Sequence, residues 1–151
     1  MLFDPGIVVT EPGSSHVLLI VEAKAGGSET TSEPQLRNYM WEMGCPVGLL
    51  VSPSKIVLYR NLFTGYSDES VERVGAYPAP LGWSRYADRN CGIEFESRVQ
   101  SWLEGLKNDR ASELTDEAAG AFEQFVIPGL LQGEIHAAGP RLTEFTIQQT
   151  T

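Results

Sequence analysis

The chain is poor in cysteine. Cys45 and Cys91 are far apart, form no Cys-x-x-Cys pair and have neither histidine at ligand spacing. Neither a disulfide framework nor a zinc signature is indicated on that count, and the thiols are expected to be reduced. Histidine is equally scarce: His16 and His136 have no companions at metal or catalytic spacing, and a turn and a helix end account for them. Apolar runs are short. None approaches the ~18 residues of a bilayer-spanning segment, and no basic stretch precedes an apolar core at the N-terminus. The chain is therefore expected to be cytoplasmic, with no membrane partner. There is no P-loop glycine spacing, no internal repeat and no Ser/His/Asp arrangement with supporting context. Positive charge is the last shortage: Lys and Arg number 11 against 20 Asp and Glu, a net charge of −9. Cationic side chains supply most of the affinity of nucleic-acid binders, so composition argues against a tight DNA binder acting alone.

What is present is ordinary globular material, with 151 residues, 42% hydrophobic and 21% charged, enough for one domain with a real core. Its organising stretch runs from Asp4 to Lys24. Two β-rich apolar runs, Ile7 to Thr10 and Val17 to Val21, flank a Pro/Gly/Ser cluster that closes a hairpin. If Thr10 sits near His16 or Val17, antiparallel pairing brings Asp4 beside Glu22 or Ala23. Glu22 and Lys24, two apart, project from one face. Two carboxylates and an ammonium are thus expected at one end of an apolar hairpin, partly desolvated and in need of partners or a metal.

Further on, Ser32-Glu33-Pro34-Gln35 reads as a helix start, with Ser32 as N-cap and Gln35 closing a capping box. Leu36, Tyr39, Met40 and Met43 give its buried face, and Gly44 and Pro46 end it. Val47 to Val51 and Ile56 to Tyr59 form a second probable hairpin. The order strand-strand-helix-strand-strand predicts an α/β core with a crossover helix. The chain divides into a core over 2–62, an irregular stretch over 63–92, a helical part over 93–139 and a tail over 140–151. Within the irregular stretch Val71 to Tyr77 reads as an edge strand, and Trp83 and Tyr86 as satellite packing rather than base-stacking platforms. Phe95, Val99, Trp102, Leu103 and Leu106 mark an amphipathic helix of about three turns. Thr115 is placed as the N-cap of another, interrupted at Pro128-Gly129 and ended at Gly139-Pro140.

An Asp at the start of one strand and Glu-x-Lys late in the next (Asp4, Glu22, Lys24) resemble the core of the PD-(D/E)xK nuclease superfamily. Gln35 and Tyr39 resemble the Gln-x-x-x-Tyr helix of its RecB-type branch. The two strands that follow are similar to those in the N-terminal nuclease domain of type I restriction R subunits. The resemblance covers roughly residues 2–62. It implies a restriction-endonuclease-like mixed sheet, two hairpins around a crossover helix, flanked by helices. Family members often carry an acidic residue on a helix before the Asp strand. The chain begins at Met1, so it is expected either to be a trimmed or minimal member or to take that element from a later segment, a protein partner or a second copy.

The resemblance also implies a chemistry. Asp4, Glu22 and the Ala23 carbonyl are the expected oxygen ligands of Mg²⁺ or Mn²⁺. Lys24 would orient the attacking water and oppose developing negative charge. Gln35 and Tyr39 would position the nucleic acid. Each has a plainer alternative: a salt bridge for Lys24, a capping box for Gln35, core packing for Tyr39. Lys55 and Arg60 are candidate phosphate contacts, with solvated charge as the default. Two functions follow. One is a metal-dependent deoxyribonuclease, an endonuclease of restriction, repair or phage context, acting on DNA. The other is a non-catalytic nuclease-fold subunit working through a partner that supplies the missing basic surface.

Overall fold

The computed structural model describes residues 6–25, 29–108 and 114–137. Within them a six-stranded mixed sheet is flanked by helices on both faces, an α/β architecture. The strands are β1 (Ile7–Thr10), β2 (Val17–Ala23), β3 (Val47–Val51), β4 (Lys55–Asn61), β5 (Val71–Pro78) and β6 (Glu134–Ala137), in the spatial order β5-β4-β3-β2-β1-β6. Only β2 and β3 are parallel. A parallel pair needs a long crossover, and helix α1 (Glu29–Met43) provides it. Both hairpins and the crossover helix follow the sequence reading, and β5 is the edge strand expected over 71–77.

Side chains alternate between two cores, as a pleated strand requires. Val8, Ile20, Leu50, Val57 and Tyr59 face Leu36 and Met40 of α1. Ile7, Val9, Leu19, Val21, Leu49 and Leu58 face the larger core on the other side. That core is filled from α2 (Gly92–Asn108), α3 (Asp116–Ala121) and α4 (Ile127–Gln132). Trp83 and Tyr86 are buried in it, with the Trp83 ring edge-on to Phe95 at 5.5 Å and Trp102 at 5.2 Å. The packing role read for both aromatics is the one they have.

Several readings need correction. The first hairpin is not in simple register: Thr10 faces Val17, but Val9 faces Leu19, so Leu18 is an extra residue and inner partners move by one. Such a bulge bends the strand locally. Second, α1 begins at Glu29 rather than Ser32, so Ser32 is not its N-cap and the capping box for Gln35 falls away. Pro34 lies in its second turn, forgoing one backbone hydrogen bond. Third, the helix starting at Asp116 is not broken at Pro128. A π-helical turn over Phe122–Val126 resets the hydrogen bonding, so that Pro128 sits in the first turn of α4, where a missing N–H costs little. Fourth, that helix ends at Gly133, not Gly139-Pro140, and the chain turns into β6 against β1. His136 is therefore on a strand, its Nε2 3.1 Å from Thr10 Oγ1. The first helix of the C-terminal part runs 17 residues, longer than the three turns its apolar spacing suggested. Thr115 caps α3 as read, its hydroxyl accepting from the Ala118 N–H at 3.3 Å. Among the described residues no helix is long and apolar enough to cross a membrane.

Candidate functional site

Ligand sites in open α/β sheets favour the carboxyl ends of parallel strands. Here those ends belong to β2 and β3, and a cavity of about 400 Å³ opens beside them. Leu50 and Val57 contribute to its apolar lining, Lys24 and Lys55 bring two ammonium groups, and Ser32 comes from the first turn of α1. Ser84 closes it from the Trp83–Tyr86 turn.

The Ser52–Lys55 turn is stiffened from within. Ser52 N–H donates to the Lys55 carbonyl at 2.9 Å, and Lys55 N–H donates to Ser52 Oγ at 3.1 Å. Ser52 Oγ lies 3.2 Å from Ser54 Oγ. The backbone beneath Lys55 is thus fixed relative to the strand ends. A further tie joins α1 to the sheet: the Tyr59 hydroxyl donates to Glu33 at 2.5 Å.

Glu22 is the last residue but one of β2, and Lys24 follows the strand directly. Glu22 is buried, with 6% exposure, and its partner across the parallel ladder is Leu50, at the cavity. Lys24 is exposed. The backbone between them adds an oxygen. Lys24 N–H donates to the Val51 carbonyl at 2.9 Å, so it points toward β3. A trans peptide sends the preceding carbonyl the opposite way, which turns the Ala23 oxygen toward the β1 side of β2. Asp4, the other expected ligand, lies outside the described residues.

Helix α1 packs on the sheet face that carries Ile20 and Leu50. Gln35 is exposed one turn after Ser32, and Tyr39 is half-buried against the smaller core. Lys55 joins the cavity, whereas Arg60 does not. Its Nε donates to Glu72 at 2.5 Å, and its guanidinium lies 5.7 Å from the Phe125 ring. Arg60 is thereby committed to sheet and helix packing.

Two contributions escaped sequence reading. One is the set of serines, Ser32, Ser52, Ser54 and Ser84, that line the cavity with the lysines, which come from three separate segments and share no local pattern. The other is Glu96 of α2. A Cβ on Gly6 would lie 3.0 Å from its Oε2, so this carboxylate rests against the entry to β1. The apolar period of α2 marks only its buried face and carries no signal for Glu96.

Among the described residues no group of three or more His, Cys, Asp or Glu side chains is placed to hold a metal ion. The chain matches no family model, no curated protein and no solved structure.

Proposed function

We propose that the protein is a divalent-metal-dependent deoxyribonuclease with a restriction-endonuclease-like core, hydrolysing DNA phosphodiester bonds as an endonuclease. The observation that supports it most is the position of Glu22 and Lys24. They lie at the carboxyl end of the parallel pair, beside a cavity carrying a second ammonium and serine hydroxyls. A buried carboxylate and a backbone carbonyl are hard oxygen donors of the kind Mg²⁺ and Mn²⁺ take. Glu22 and the Ala23 carbonyl would hold the ion, with Asp4 as the second carboxylate. When bound, such an ion polarises the phosphate and lowers the pKa of a water. The chain's own groups do the rest. Lys24 orients the nucleophilic water and opposes charge on the phosphate, Lys55 holds a non-bridging oxygen, and the serine hydroxyls donate to the same anion. Gln35 and Tyr39, on α1, position the strand.

The net charge of −9 favours a second reading, a non-catalytic module that keeps this fold and acts through a basic partner or second copy. One experiment separates them. Plasmid DNA should be cut by the wild type with Mg²⁺ or Mn²⁺ and spared by a folded Lys24→Ala variant. A wild type that cuts with neither ion supports the module.

A further inference from the structure

Five of the eight large apolar side chains exposed among the described residues come from two short segments. Trp41 and Met43 lie in the last turn of α1, and Leu62, Phe63 and Tyr66 lie in the loop after β4. Single exposed apolar residues are normal, whereas clustered ones mark an interaction surface. Hydrogen bonds tie the two segments together. The Asn61 amide donates to the Met40 and Cys45 carbonyls at the end of α1, and its Oδ1 accepts from Phe63 N–H. Ser70 closes the loop, its carbonyl accepting from Leu62 N–H at 2.9 Å and its hydroxyl from Thr64 N–H at 3.0 Å.

Phe63 is held at φ 56°, a region that glycine enters freely and a bulky residue only at a cost. Its ring is 63% exposed, so burial offsets little of that cost, and Tyr66 is 95% exposed. A strained backbone holding an unburied ring fits a contact made outside the chain.

Charge indicates what makes that contact. Segments 38–49 and 61–72 carry Glu42, Asp68, Glu69 and Glu72 and no Lys or Arg. Arg60 neutralises Glu72, and Arg37, one turn before Trp41, is turned to Glu33. The Glu69 carboxylate lies over the loop: a Cβ on Gly65, next to Tyr66, would stand 3.7 Å from its Oε1. Apolar rings among three carboxylates suit a partner that brings lysines or arginines around an apolar anchor, and they repel a second copy of the same surface.

We propose that the end of α1 and the Leu62–Tyr66 loop form one docking surface for a basic, apolar-anchored segment of a partner protein. Lys55 and Asn61 are the two ends of β4, so the surface stands about 20 Å along the strand from the cavity mouth. A partner seated there leaves the cavity open and adds the positive surface that a chain of net charge −9 lacks. The proposal holds on either reading of the cavity, and its test involves no cleavage.

The probe is a short peptide of leucine and lysine at helical spacing, free of tryptophan. The signal is acrylamide quenching of the protein's own fluorescence. Trp83 and Trp102 are 2% exposed and Trp41 is 37% exposed, so quenching reports Trp41. The peptide should shield Trp41. Phe63→Gly and Tyr66→Ser should each weaken binding at least about fivefold. Asp68→Asn/Glu69→Gln should weaken it about threefold at low salt and flatten its salt dependence. Tyr66→Ser removes a fully solvated ring and keeps the test valid should Phe63→Gly fail to fold. A wild type that binds no peptide, or binds it with Trp41 still open to acrylamide, overturns the proposal. Unchanged affinity in Phe63→Gly and Tyr66→Ser does the same. A serine–lysine peptide of equal charge that binds as tightly reduces the attraction to charge alone and overturns it. A wild-type dimer that becomes monomeric in Tyr66→Ser makes the surface a contact between copies and overturns it as well.

Discussion

Glu22 and Lys24 stand two residues apart at the carboxyl end of β2, yet Glu22 is buried and Lys24 reaches solvent. A buried carboxylate must be compensated, and the two functional readings compensate it differently. If a divalent ion does so, an ion binding only the folded state must stabilise it by mass action. At ten times its Kd the gain is about 1.4 kcal/mol, or roughly 3–6 °C for a domain of this size. Millimolar Mg²⁺ or Mn²⁺ should therefore raise the melting temperature of the wild type, and much less that of Glu22→Gln or Asp4→Asn. A structural Glu22–Lys24 bridge gives the opposite pair of results in differential scanning fluorimetry: no response to metal, and a lower melting temperature for Glu22→Gln.

Asn61, 8% exposed, joins the end of α1 to the loop after β4. Its amide donates to the Met40 and Cys45 carbonyls, both at 3.3 Å, and its Oδ1 accepts from Phe63 N–H at 2.9 Å and Ser70 Oγ at 2.6 Å. This network holds Phe63 at φ 56°, the described non-glycine residue in the left-handed region. Asn61→Ala leaves buried helix-end carbonyls without these partners, and each lost bond is worth about 1 kcal/mol. Urea unfolding should show a loss of roughly 3 kcal/mol, with little change in m-value.

Five of the six strands, β1 to β5, could be read from sequence because their signals are local. The Glu11–His16 turn, the β-rich runs beside it and the apolar face of α1 each lie within one window. The start of α1 was misread because Ser32, Pro34 and Gln35 imitate a cap so well; Ser32 instead lines the cavity inside the helix. β6 was missed for a different reason. Glu134 to Ala137 is a strand through its pairing with Ile7–Thr10, more than a hundred positions earlier, and no local window contains that partner. The site divides likewise. Glu22 and Lys24 follow from the two-residue period of a strand. The serines that line the cavity with Lys24 meet only after the chain has folded.

Gly133 lets the chain leave α4 and enter β6. A Cβ there would lie 2.5 Å from Val9 Cγ1, 2.9 Å from the Thr10 carbonyl and 3.0 Å from the Gly129 carbonyl. Two of those neighbours are backbone and cannot swing away. At Gly48 the obstacle is Met40 Sδ at 2.5 Å, the flexible part of an adaptable side chain. Overpacking costs about 1–3 kcal/mol. Gly133→Ala should fall at or above the top of that range, Gly48→Ala near its bottom, and paired thermal melts should keep this order. Equal losses at both sites would mean that β6 tolerates displacement from β1.

Cys45 connects burial with pH. Its thiol is fully buried beside α1 and donates to the Val47 carbonyl at 3.2 Å. Burial is the main cause that pushes its pKa from 9.0 to about 12, outweighing the backbone hydrogen bonds that lower it. The folded state therefore keeps a proton that the unfolded chain loses at lower pH. The stabilising contribution is complete below the unfolded value and is lost progressively as pH rises from about 9 toward 12. While the unfolded thiol is ionised and the folded one is not, each pH unit removes about 1.4 kcal/mol. Lysines and tyrosines titrate over the same range, so the useful quantity is the difference between wild type and Cys45→Ala. That difference should be flat at neutral pH and shift against the wild type above pH 9, near this slope, in denaturant unfolding. Native Cys45 should also resist thiol reagents at pH 8 while the partly exposed Cys91 reacts. Equal labelling of the two in the folded protein would show that α1 opens from the sheet far more readily than its buried face allows.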